Sequence, residues 1–154
     1  MYGDTEVMRR RARQLRDQGA DIRVLADQLV AQTEALGWAG RAAESMRDRI
    51  QERATHLRVA AAQHETAADS LDKHVHDVDA IKDAIADAER KVTAMVADAR
   101  TRVARIESDN EADAGGGSGT GLRKVPDAGD QALVAFTPPP SGHKDWLAVD
   151  LPGF

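Results

Sequence analysis

The sequence contains no cysteine. That one absence removes disulfides, thiol catalysis and zinc–thiolate sites together, and it carries no information on compartment. Aromatic residues are almost as scarce: Tyr2, Trp38, Phe136, Trp146 and Phe154 make up 3% of 154 residues. A thick globular core usually draws much of its buried area from aromatics, so none is expected. Proline is absent before Pro126, and glycine is absent between residues 41 and 114. No apolar run approaches the ~18 residues of a membrane span. The opening MYGDTEVMRRRARQL has no apolar stretch of the secretory type, so no signal peptide is expected. A formal net charge of −5 argues against nucleic acid as the partner.

What fills the space is Ala, Arg, Asp, Glu, Leu and Gln, nearly all acceptable helix formers. Proline costs ~3 kcal/mol and glycine ~1 kcal/mol inside a helix, so their shared absence over so long a stretch is informative. The composition predicts an all-α antiparallel hairpin over residues 1–107. It comprises a helix over 4–36, a turn at 37–40 and a longer helix over 41–107. Gly37 suits the position just past a helix end, where positive φ is needed. Gly40 is placed to cap the next helix, and Asp4 to cap the first. Residues 108–154 read as a glycine-rich flexible linker and a largely disordered tail, with too little patterned apolar surface to fold alone.

Met8, Leu15, Ile22, Leu29 and Leu36 recur every seven residues in the first helix, with Leu25 adding a second row. Small residues, Ala12, Gly19, Ala26 and Thr33, follow the first four at four-residue offsets. A large-plus-small seam at this spacing describes two helices packed closely along their length. The second helix continues the pattern through Met46, Ile50, Leu57, Ala61, His64, Ala68, Leu71, Val75 and Val78, then onward to Ile106. At ~1.5 Å per residue it would run about 100 Å, well beyond the first helix. The excess, roughly 75–107, is expected to overhang and to be covered by a partner. Charge selects the antiparallel direction. Arginines at 9, 10, 11, 13, 16 and 23 would lie beside an acidic stretch that begins at Glu65 and continues through Asp69, Asp72 and Asp79. Exposed pairs of this kind contribute only ~0.2–1 kcal/mol each.

Trp38 is the single aromatic between Gly3 and Ala135, and it falls in the turn. Leucine or methionine would cover a hairpin end in so aliphatic a chain. A tryptophan there points to recognition, since tryptophan is over-represented among residues that carry binding energy. Trp38-Ala39-Gly40, between a helix of this length and a longer amphipathic one, resembles the WXG100 family over residues 1 to about 90. These are small hairpin proteins exported by type VII secretion systems, chiefly of actinobacteria and related Gram-positive bacteria. The resemblance implies association into a four-helix bundle, as a homodimer or as a heterodimer with another WXG100-like protein. It implies export without a signal peptide through the type VII machinery, from the cytoplasm, with no enzymatic activity and no cofactor. Trp38 and Gly40 take the motif's two fixed positions. The family's Tyr-x-x-x-Asp/Glu export signal, expected after the second helix, is missing there. Tyr2 to Glu6 has the spacing at the wrong end, and Trp146 to Asp150 puts tryptophan in place of tyrosine far downstream. A cytoplasmic coiled-coil scaffold or chaperone with no export role is the alternative.

The histidines do not form a helical metal pair, because His56, His64, His74 and His76 are never three or four residues apart. His64 lies on the seam and reads as a half-buried histidine hydrogen-bonded to the other helix or to a partner. GGGSGTG lacks the Gly-Lys-Ser/Thr ending of a phosphate loop and follows a helix rather than a strand.

Overall fold

The computed structural model describes residues 4–115 and 123–154. Their regular structure is helical: α1 (Thr5–Ala35), α2 (Arg41–Gly115), a short α3 (Ala128–Ala135) and a 3-10 turn at Lys144–Ala148. Two compact units divide the chain, and the boundary, between Asp79 and Ala80, falls inside α2.

In the first unit α1 and α2 pack together antiparallel. Asp4 caps α1 through a carboxylate that accepts from the backbone N–H groups of Glu6 and Val7. Leu36 closes the helix, and Gly37 follows at φ +62°, a conformation that side chains with a Cβ rarely adopt. The α2 N-terminus has no side-chain cap. The Gly40 carbonyl accepts from Ala43 and Glu44, and Gly40 itself sits at φ +102°. The direction of pairing is written in the ion pairs. Arg9 bonds Asp79, Arg16 bonds Asp69 (2.7 Å) and Asp72 (2.6 Å), Arg23 is bidentate on Glu65, and Arg58 reaches back to Asp27 (2.6 Å).

In the second unit, α2 from Ala80 onward is lined by the chain's own tail. The Asn110 side chain pairs with both backbone groups of Lys124, donating to its carbonyl and accepting its N–H at 2.8 Å each. Arg102 Nε donates to Asp130 at 2.9 Å, with a second guanidinium nitrogen on the same carboxylate. Leu133 of α3 and Trp146 of the 3-10 turn are buried. The Trp146 indole N–H donates to the Pro140 carbonyl at 3.0 Å, and its ring meets Phe136 at 6.5 Å between centroids. Glu89 accepts from the Gly142 N–H, and Lys91 stands 4.6 Å from the Phe154 ring centroid.

Three expectations need correction. The second helix does not stop at 107, because Glu111, Ala112 and Ala114 are helix formers and the first glycine is Gly115. The rest of the glycine-rich linker, 116–122, lies outside the described residues. The tail over 123–154 is not structureless: it has too few apolar residues for a core of its own, but enough to anchor on a helix already formed. The excess of α2 is therefore covered in this chain by residues 123–154 rather than left bare for another chain.

Candidate functional site: the hairpin tip and its seam

The centre of the α1–α2 contact belongs to the small residues. Ala12, Gly19 and Ala26 are closed to solvent on α1, and Ala54, Ala61 and Ala68 on α2, each set stepping by seven. A Cβ added at Gly19 would stand 3.1 Å from the Ala61 carbonyl oxygen, tighter than ordinary van der Waals contact. Glycine in mid-helix, a defect by propensity, is thus required by the approach of the facing backbone. The large seam residues flank this line. Met8, Leu15, Ile22 and Leu29 are half-buried, as are Ile50, Leu57, His64, Leu71 and Val78, and Val75 is buried. Leu25, Leu36 and Met46, expected at a helix–helix interface, are exposed within this chain at 57, 52 and 43%. Backbones held this close by alanine and glycine push longer side chains outward to the rims of the contact.

His64 is half-buried on the seam, as expected. Its Nδ1 is buried and finds no hydrogen-bond partner among the described residues, while its Cβ lies beside the position a Cβ would take at Gly19.

Trp38 sits between Gly37 and Gly40 with 57% of its surface exposed. It therefore does not plug the open end of the hairpin. Its carbonyl accepts a hydrogen bond from the Arg47 guanidinium, which ties the turn to the first helical turns of α2. Val24, Leu25, Leu36, Met46 and Val59 are also exposed in this unit, so apolar surface on both helices remains in water alongside the indole. Electrostatics reinforce the hairpin. Hydrogen bonding to Arg23 holds the Glu65 carboxyl below its ordinary pKa, and Asp69 and Asp72 raise Arg16. In the tail unit, the Arg102 hydrogen bond lowers Asp130 in the same way.

Among the described residues no cluster of three or more His, Asp or Glu side chains could hold a metal, and no helix is long and apolar enough to cross a membrane. Sequence reasoning missed Ala54 and the tail anchors Asp130, Leu133 and Trp146. Three of the chain's five aromatics fall after residue 135, and that concentration in a supposedly disordered segment was the available signal. No family model, curated protein or solved structure matches the chain.

Proposed function

We propose that this chain is a non-enzymatic, WXG100-like partner protein of a type VII secretion system. It acts by helix–helix association of its hairpin with a second chain, homologous or identical, to complete a four-helix bundle. The observation that carries this reading is the exposed Trp38 at the tip of an antiparallel hairpin that leaves large apolar side chains in water. Burying a leucine-sized side chain fully stabilises by ~1.5–3 kcal/mol, so covering Leu25, Leu36 and Met46 supplies a driving force for association. Trp146 is spent inside the tail unit, which removes Trp146 to Asp150 as an accessible export signal. On this reading the partner supplies the signal, and the complex is exported from the cytoplasm.

Secretion assays on Trp38→Ala, paired with thermal melts by circular dichroism, test the proposal. Export into the medium should fall sharply while the melting curve stays in place. Light scattering, on the chain alone and with the product of the adjacent gene, should show the associated species. A chain absent from the medium and indifferent to Trp38 would instead be a cytoplasmic scaffold or chaperone.

A further inference from the structure

A cavity of about 190 Å³ lies between the second half of α2 and the tail, within the unit that begins at Ala80. Val92 and Val96 line it from the helix, and Phe136, Pro138 and Trp146 line it from the tail. The walls are set in advance. The Trp146 indole N–H is committed to the Pro140 carbonyl at 3.0 Å, and its ring rests against Phe136.

Two polar side chains of α2 interrupt the apolar lining, Thr93 and Arg100, two helical turns apart on one face. Arg100 differs from the arginines near it. Arg90 pairs with Asp87 and Arg102 with Asp130, yet among the described residues no hydrogen bond or ion pair engages the Arg100 guanidinium. Its helical neighbours three and four positions away, Val96, Ala97, Val103 and Ala104, are uncharged, so the helix gives it no partner. Thr93 is exceptional too. Thr33, Thr55, Thr66 and Thr101 each donate to the carbonyl four residues back, whereas Thr93 makes no such bond among the described residues. Long helical side chains lean toward the N-terminus, which for Arg100 is toward Thr93.

We propose that this cavity binds a small aromatic carboxylate, with its ring against Trp146, Phe136 and Pro138 and its carboxylate on Arg100 and Thr93. Size limits the occupant: sites for drug-sized ligands run to ~300–1,000 Å³, so this one takes a single ring. Charge sets its head group, because one guanidinium presents a fork that a carboxylate accepts in bidentate fashion. Such a ligand touches helix and tail at once, so its binding fastens the tail to α2.

Phenylacetate, its neutral analogue phenylacetamide, and acetate are titrated into the full chain carrying Trp38→Phe, in which indole fluorescence reports Trp146 alone. Phenylacetate should give a saturable change and bind about tenfold tighter than phenylacetamide, the increment of a charged hydrogen bond. Acetate should give none. Arg100→Gln should abolish the preference for the acid while hydrogen exchange at 128–135 without ligand stays as it was. Thr93→Val should weaken phenylacetate by a smaller factor, and Arg105→Gln should leave it unchanged. Bound phenylacetate should also slow exchange at 128–135. Absence of saturation, equal affinity for acid and amide, or an equal loss in Arg105→Gln each overturns the proposal. Every residue of the site falls within 80–154, so the outcome is independent of the secretion reading.

Discussion

The two units use one helix in two ways. Up to Asp79, α2 is matched by a partner helix of nearly its own kind, through alanine and glycine at heptad spacing and a ladder of arginine–carboxylate pairs. Beyond Ala80 it is matched by an irregular segment held at separate points by large side chains. The first contact spreads its stabilisation over many small increments. The second concentrates it in a few residues. Single substitutions should therefore act very differently in the two places.

The largest effect is expected at Trp146→Ala. Truncating a buried tryptophan costs about 3–5 kcal/mol, enough to undock the tail. Hydrogen exchange should show lost protection at 128–135 with α1 amides unchanged; equal losses in both would mean the units are not separable. Next comes Gly19→Leu, which forces a side chain against the Ala61 carbonyl. Overpacking of this sort costs about 1–3 kcal/mol, and urea melts should place the loss in the hairpin while the tail amides keep their protection.

Acid should affect both units in the same direction. Glu65 and Asp130 have folded-state pKa values held below their unfolded ones by Arg23 and Arg102. Their contributions are fully present above the unfolded values and fade as pH falls below about 4 through the folded ones. Glu65→Gln and Asp130→Asn should each flatten that acid limb in their own unit, read by exchange at α1 or at 128–135. The smallest effect on stability is expected at Trp38→Ala, within about 0.5 kcal/mol by thermal melt, because the indole is mostly in water. A large loss would give Trp38 a packing role.

The hairpin was legible because its signals are local and periodic. Asp4, Gly37 and Gly40 announce the ends of helices, and the arginines at 9, 16 and 23 find the acidic stretch that charge alone assigns them. Which members of the seam lie at its centre was less legible. Heptad spacing marks Leu15 and Gly19 alike, and only the distance between backbones decides that the glycine goes inside. The tail was illegible for a different reason. Its order depends on a surface supplied far away in sequence, so neither Asp130 nor Trp146 carries a local pattern that foretells its partner. Trp38 was conspicuous by its isolation in the turn. That more than half of its surface stays in water was not legible, because only the folded turn decides how much of the indole the helices cover.

That narrow seam has a thermodynamic consequence. Opening a contact whose closed centre is alanine and glycine, with the larger seam residues mostly half-buried, uncovers comparatively little hydrocarbon, and the heat-capacity increment of unfolding scales with the hydrocarbon uncovered. The hairpin should therefore show a flat stability curve, a shallow response to urea and little tendency to come apart in the cold.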